Sequence, residues 1–157
     1  ARFPQVRLRI AGDGPERAAA EALVKKMDLG QVSFLGYLEG EAKVRELVRA
    51  DIFLFPTAFG EGMPNAVLEA MASGLPVVTR SVGGLRDFFE DGRMGFITES
   101  RDPRVFAELL SSLIRDPALR QSMGQYNRDF ARKRFAASEV AKRLLAIYAQ
   151  MGEKTPS

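Results

Sequence analysis

The chain has 157 residues, 46% of them apolar, which fits one domain with a hydrophobic core. Its net charge is only +3, and the 23 lysines and arginines are scattered rather than gathered in a basic stripe with interleaved aromatic residues. We therefore expect no nucleic-acid partner. The sequence has no cysteine and no histidine, which excludes disulfides and thiolate chemistry and removes the commonest general base and transition-metal ligand.

The sequence has no apolar run near the roughly 18 residues that a membrane-spanning helix needs, and no signal peptide opens it. We expect a cytoplasmic protein, or the soluble part of something larger. Any association with the cytoplasmic face of a membrane would then depend on parts outside this sequence.

Short aliphatic or β-branched runs alternate with longer helical patterns, which is typical of an α/β fold with a parallel sheet. The run at residues 51–56 is almost continuously apolar, as expected for a parallel strand covered on both faces. In the first half of the chain the pattern predicts strands at residues 6–11, 32–35 and 51–56, and helices at residues 15–27 and 41–49.

The second half continues the alternation and ends in helices. The pattern predicts a helix at residues 65–73, a strand at 75–79, a short helix between Gly83-Gly84 and Asp91-Gly92, a strand at 95–98, and helices at 103–115, 117–135 (either continuous or with a break) and 138–151. We expect one domain over residues 1–151 and a flexible tail over residues 152–157.

Glu61 and Glu69 stand eight residues apart in the most informative segment, residues 59–74. Glu61 lies in a loop between glycines and Glu69 one turn into a helix, an arrangement suited to binding the hydroxyls of a sugar and a ribose. The segment follows the strand at 51–56, and ligands of open parallel sheets bind beyond the carboxyl ends of strands. Isolated acids at this spacing would be ordinary solvated residues, but the surrounding glycines and proline favour a binding site.

Two features of this segment support that interpretation. Gly62 allows close backbone approach, and the first free N–H groups of the helix are donors for a phosphate or a sugar oxygen. Asn65 and Glu69 are four residues apart and therefore share one helix face, while Val67 and Met71 are expected to face the core.

Other glycine motifs leave two interpretations open. The run Gly12-Asp13-Gly14-Pro15 either brings amides to an anion at a helix start or makes a tight strand-to-helix turn. The pair Gly83-Gly84 likewise either approaches a phosphate or only makes a turn. Arg80 is a weak further candidate beside that pair, because charged residues at loop mouths are usually only solvated.

Several short motifs occur together and in a fixed order. They are Ile10-Ala11-Gly12-Asp13-Gly14-Pro15-Glu16, Val32-Ser33-Phe34-Leu35-Gly36-Tyr37, Ala50-Asp51-Ile52-Phe53-Leu54-Phe55-Pro56-Thr57, the two-glutamate segment, Val82-Gly83-Gly84, Asp91-Gly92, Gly95-Phe96 and Asp116-Pro117. Over residues 6–149 the chain thereby resembles the donor-binding, C-terminal domain of retaining GT-B glycosyltransferases, specifically glycosyltransferase family 4, the group 1 glycosyl transferases.

The resemblance implies a Rossmann-like, doubly wound parallel sheet, the C-terminal half of a GT-B fold. It implies an enzyme that transfers a sugar from a nucleotide diphosphate sugar to an acceptor hydroxyl with retention at the anomeric carbon. No cofactor and no metal are expected. The sequence lacks an Asp-x-Asp pair, and a GT-B protein holds the diphosphate with helix ends and basic side chains.

The resemblance also assigns roles to individual residues. It implies that Glu61 faces the transferred sugar as the catalytic carboxylate and that Glu69 accepts hydrogen bonds from the ribose. The remaining donor-binding residues that it implies are Gly62, Met63, Asn65 and Ala66 at the sugar and diphosphate, Gly12 and Gly14 near an anion, and Tyr37 and Leu38 at the nucleobase. A buried-core role for Tyr37 or Leu38 is an equal alternative.

The chain also departs from the family pattern. The resemblance implies an acceptor-binding N-terminal domain in the same parent protein, and a further strand and helix with an arginine and a lysine that neutralise the diphosphate. Neither precedes Arg7, so we expect an N-terminally truncated fragment with little or no transferase activity of its own. We expect the strands at 6–11 and 51–56 either to pair directly in a five-stranded sheet or to accept a strand from elsewhere.

Two other functions share this fold. One is a non-catalytic nucleotide-binding or interaction module, and the other is a sugar-nucleotide epimerase or a phosphorylase. The presence of both glutamates favours the transferase, because a pure binder would need only the second.

Overall fold

The computed structural model describes residues 3–60 and 62–152, which form two compact units divided between Arg45 and Glu46. Strands and helices alternate as the sequence predicts. The elements are β1 (Leu8–Ala11), α1 (Arg17–Lys26), β2 (Val32–Gly36), α2 (Gly40–Arg49), β3 (Phe53–Phe55), α3 (Asn65–Ala72), β4 (Val77–Arg80), a 3-10 helix (Gly83–Asp87), β5 (Gly95–Thr98), α4 (Pro103–Arg115), α5 (Pro117–Phe135) and α6 (Ala137–Gly152).

The first unit contains a two-stranded parallel sheet of β1 and β2, connected through α1. The register pairs Leu8 with Val32 and Ala11 with Gly36, with an irregularity just before Ala11. None of its described residues is buried, and Leu23 on α1 is 55% exposed. So small a sheet with one crossover helix has too little surface to enclose an apolar side chain.

The second unit contains a three-stranded parallel sheet in the order β3-β4-β5. Its central strand β4 is covered on both faces, since neighbouring side chains of a strand point to opposite sides. Val77 packs in a cluster with Val67 and Met71 of α3, and Val78 packs with Phe106 and other residues on the opposite face. The unit is therefore a helix–sheet–helix sandwich, as the apolar pattern predicts.

Helices α4 and α5 of this unit begin where the sequence predicts. Asp102 and Asp116 each precede a proline at the first helical position, and their carboxylates accept hydrogen bonds from the N–H groups of Arg104 and Leu119 at 2.9 Å. Of the two alternatives for α5, the break is wrong, because the helix is continuous from Pro117 to Phe135.

The predicted parallel α/β architecture is confirmed, but one prediction about strand pairing is wrong. β1 and β3 do not pair with each other in a five-stranded sheet. Within the described residues β1 pairs only with β2 and β3 only with β4, because each strand belongs to the sheet of its own unit. That a strand from elsewhere pairs with them stays a prediction. No helix among the described residues is long and apolar enough to cross a membrane.

Candidate functional site

The carboxyl ends of β3, β4 and β5 lie at one edge of the second unit's sheet, because the three strands are parallel. Hydrogen bonds join the three strand ends there. The buried Thr79 of β4 donates its hydroxyl to the carbonyl oxygen of Phe55 at 2.9 Å, and the Ser81 N–H donates to the carbonyl oxygen of Thr98 at 3.1 Å. The loops that follow these strands thus start from a fixed edge, the place where parallel sheets bind ligands.

Helix α3 begins at the end of the loop after β3. The carbonyl oxygen of buried Pro64 accepts hydrogen bonds from the N–H groups of Val67 at 2.9 Å and Leu68 at 3.4 Å. The N–H groups of Asn65 and Ala66 precede them and have no acceptor within the helix by position. The start of α3 therefore offers backbone donors and the positive end of the helix dipole to an anion or a hydroxyl.

Glu69 lies one turn into α3. It is half-buried, whereas Asn65, one turn earlier on the same face, is exposed. Val67 and Met71 are fully buried, so the prediction that they face the core is confirmed. Glu69 therefore lies on a part of α3 that is not fully buried, one turn after the helix start.

The loop before α3 contains three more of the predicted site residues. Gly62 and Met63 are exposed, and Glu61 lies outside the described residues. The Gly84 N–H donates to the Gly62 carbonyl oxygen at 2.7 Å, and a Cβ added to Gly84 would lie 2.6 Å from Cε of Met63. Gly84 therefore packs against this loop with its N–H already used, which favours turn geometry over phosphate approach for Gly83-Gly84.

Gly12 and Gly14 follow β1 in the first unit. Gly12 has a φ of +128°, a conformation that favours glycine, and its N–H donates to the carbonyl oxygen of Gly36 at 2.7 Å. The Gly14 N–H donates to Asp13 Oδ1 at 2.8 Å. Both N–H groups thus have partners within the protein, and these contacts favour the tight turn over an anion site.

Tyr37 and Leu38 follow β2 and lie at the same edge of the first unit's sheet as Gly12. Tyr37 is 75% exposed and Leu38 is half-buried. A core role for Tyr37 is therefore wrong, and its ring is open to a ligand. These residues belong to the first unit, whereas the loop and α3 belong to the second.

Two other features bear on ligands. Among the residues that the structure describes, no group of three or more Asp or Glu side chains could hold a metal ion. The first unit has a cavity of about 450 Å³ that contains none of the predicted site residues. It is lined by Pro4, Gln5, Arg7, Arg9, Gly30, Gln31 and Ser33.

Sequence reasoning missed two residues of this edge. Thr79 was part of a predicted strand, and its hydroxyl contact with β3 depends on strand pairing. Gly84 was predicted either to approach a phosphate or to make a turn, but its contact with Met63, which joins two loops that are separate in sequence, was not predicted. The one available signal was a double glycine directly after a strand.

Parallel strands, a helix start at their carboxyl edge and a carboxylate on its open face define a ligand-binding α/β domain. Residues 1–130 match the family model described as Glycosyl transferases group 1. The chain belongs to this family, which confirms the predicted resemblance.

Curated relatives support the same assignment. The chain is 30% identical over 149 residues to phosphatidyl-myo-inositol mannosyltransferase of Mycobacterium leprae, a match that covers 93% of this chain and 38% of the relative. It is 29% identical over 123 residues to spore coat protein SA of Bacillus subtilis, covering 78% of this chain and 33% of that protein. The chain thus spans between 33% and 38% of the length of these relatives.

Solved structures show the same fold. Sucrose-phosphate synthase from Thermosynechococcus elongatus superposes with a TM-score of 0.83 at 25% identity, over 98% of this chain and 40% of the synthase. HepE of Anabaena, solved in complex with UDP-glucose, gives a TM-score of 0.81 at 22% identity, over 94% of this chain and 42% of that protein. The predicted GT-B glycosyltransferase fold is therefore confirmed.

Proposed function

We propose that this chain is the donor-binding part of a retaining glycosyltransferase, which transfers a sugar from a nucleotide diphosphate sugar to an acceptor hydroxyl. The observation that carries the proposal is the start of α3, where the N–H groups of Asn65 and Ala66 and the half-buried carboxylate of Glu69 share the carboxyl edge of a parallel sheet. The complex of HepE with UDP-glucose supports it, since that protein has the same fold.

Each part of this edge suits one part of the donor. Glu69 accepts hydrogen bonds from the ribose hydroxyls. The backbone N–H groups at the start of α3 bind the diphosphate or the sugar, because helix starts favour negative charge. Together with Gly62 and Met63 they supply donors in place of a metal ion, so we propose that no metal is required.

Glu61 is the proposed catalytic carboxylate. In sequence it belongs to the loop that connects β3 with α3. The end of β3 and the start of α3 both lie at the carboxyl edge of the sheet. A carboxylate facing the sugar stabilises positive charge that develops at the anomeric carbon during transfer.

A further part of the proposal concerns two residues of the first unit, taken by itself. Tyr37 and Leu38 meet the nucleobase, for which the exposure of the Tyr37 ring is the supporting observation. Gly12 and Gly14 are not part of this proposal, because their N–H groups already have partners within the protein.

The acceptor side of the reaction is proposed to lie elsewhere. The chain spans 38% of the mannosyltransferase that it resembles. We propose that an acceptor-binding domain of the same protein completes the enzyme and that this chain alone transfers little or no sugar.

Substitution of Glu69 tests the proposal. Because hydrogen bonds to charged groups contribute about 1.5–3 kcal/mol, Glu69→Ala should weaken binding of a nucleoside diphosphate by about ten- to a hundredfold. The affinity of UDP, GDP and ADP is measured by calorimetry. The control is Glu108→Ala, which removes an exposed carboxylate from α4 and should leave the affinity unchanged. Equal affinity of the Glu69→Ala chain and the unsubstituted chain would remove Glu69 from the site.

A further inference from the structure

Arg80, the last residue of β4, joins the loops that follow the two neighbouring strands. Its half-buried guanidinium donates from Nε to the carbonyl oxygen of Ser100 at 3.1 Å and from Nη2 to that of Glu99 at 3.0 Å. Its Nη1 donates to the carbonyl oxygen of Thr57 at 3.4 Å. One side chain thus connects the loop after β3 with the loop after β5.

The acceptors of this guanidinium are main-chain oxygens rather than carboxylates. Glu99 offers Arg80 its backbone carbonyl, while its carboxylate accepts from Arg86 at 3.3 Å. Three carbonyls spread around one side chain match the planar fork of arginine, whereas the single ammonium of lysine cannot span them. This arrangement fixes backbone positions and does not neutralise a charge.

The same loop is held at its other end by Gly84. The Gly84 N–H donates to the Gly62 carbonyl oxygen at 2.7 Å. Gly62 is five residues after Thr57 and is followed by Met63, Pro64 and α3. The backbone between these two contacts leads directly to the helix start that the proposed function assigns to the donor.

We propose that Arg80 is a positioning residue for donor binding. It does not touch the donor. By holding the Thr57 carbonyl it fixes where the loop begins, as Gly84 fixes where it ends, and the N–H groups of Gly62 and Asn65 are thereby set before the donor arrives. N–H groups that are already in position bind the nucleotide donor more tightly, because the loop loses less conformational freedom on binding. This inference rests on the proposed function.

The test compares Arg80→Lys and Arg80→Gln with the matched control Arg86→Gln. Arg86 lies beside the same loops but bonds to Ser81 and the Glu99 carboxylate, not to the loop after β3. Hydrogen exchange of the N–H groups at residues 57–63 is measured for each chain. The affinity of UDP, GDP and ADP is measured by calorimetry, with thermal unfolding as a check that each chain is folded.

Both Arg80 variants should speed hydrogen exchange in the loop and lower the affinity for the nucleoside diphosphate by about tenfold. Arg86→Gln should change neither quantity. Equal losses in Lys and Gln variants are expected, because the fork and not the charge is needed. Full affinity in Arg80→Lys, or unchanged loop exchange in both variants, overturns the inference.

If the unsubstituted chain binds none of the three nucleotides, the proposed function fails and the binding part of the inference fails with it. The exchange data still decide whether Arg80 holds the loop.

Discussion

Gly95, Gly124 and Gly84 of the second unit occupy places that no other residue could fill without movement. A Cβ added to Gly95 would lie 1.9 Å from the carbonyl oxygen of Val77, and one added to Gly124 would lie 2.2 Å from that of Gly74. At Gly84 the obstacle is Cε of Met63, the end of a flexible side chain. The first two contacts bring backbones together in the core, whereas the third adjusts a surface loop at the candidate site.

The proposed role of Glu61 gives a prediction that separates chemistry from binding. In a longer protein that includes the acceptor-binding part, Glu61→Ala should lower turnover while the affinity for the bare nucleoside diphosphate stays within about twofold, because that ligand lacks the sugar. Turnover is measured with a nucleotide sugar, and affinity by calorimetry. Parallel losses in turnover and nucleoside diphosphate affinity would indicate a structural or ribose-binding role.

Single residues could be predicted from the sequence where their role depends on local spacing. The positions of Glu69 and Met71 on opposite faces of α3 follow from helical periodicity alone. Asn127 could not be predicted: it is fully buried in α5, and its Nδ2 donates at 2.7 Å to the carbonyl oxygens of both Leu75 and Met94. Those partners come from distant parts of the chain, so only the packed structure reveals them.

At the scale of elements, the predicted bounds were most accurate where a local sequence signal marks the start or the end of the element. The pair Asp102-Pro103 marks the start of α4, and β5 was predicted with its observed bounds. β1 begins at Leu8 rather than at Val6, because Leu8 pairs with Val32, the first residue of β2, and earlier residues have no partner in that strand. The end of a strand thus depends on its neighbour, which the sequence does not display locally.

The turn before β5 is tied to α5 by one polar cluster. The Tyr126 hydroxyl donates to Glu90 Oε1 at 2.6 Å, Arg93 donates to Glu90 Oε2 at 2.8 Å, and the Arg93 guanidinium lies 4.0 Å from the centre of the Tyr126 ring. The hydrogen bond from Tyr126, and then that from Arg93, lowers the pKa of the Glu90 carboxyl. The bond to Glu90 raises the pKa of the Tyr126 hydroxyl.

This cluster predicts a pH-dependent contribution to stability. Because the folded-state pKa of Glu90 is lowered, its contribution is present above the unfolded-state value of about 4.3 and is lost as the pH falls through the folded-state value. Tyr126→Phe should therefore lower the Tm at pH 7, and the difference from the unsubstituted chain should shrink below about pH 4. Tyr148→Phe on α6, where the ring is 66% exposed, is the control. A Tm difference that is the same at pH 7 and pH 3 would contradict the role of Glu90.

At the scale of the whole molecule, the chain consists of two units of unequal construction. The second unit has fully buried cores on both faces of β4, whereas none of the described residues of the first unit is buried. Composition and alternation predicted the parallel α/β fold, and ordered motifs predicted the family. They did not predict two separate sheets, because strand pairing between distant segments depends on tertiary packing.

The central claim is that Glu69 binds the ribose of a nucleotide donor. The most direct test is calorimetry of the unsubstituted chain and of Glu69→Ala. Each chain is titrated with whichever of UDP, GDP and ADP binds most tightly and with the 2′,3′-dideoxy form of that nucleotide. Removal of the hydroxyls should weaken binding to the unsubstituted chain by about ten- to a hundredfold and leave binding to Glu69→Ala nearly unchanged. Equal losses in both chains, or no binding of any of the three nucleotides to the unsubstituted chain, would contradict the account.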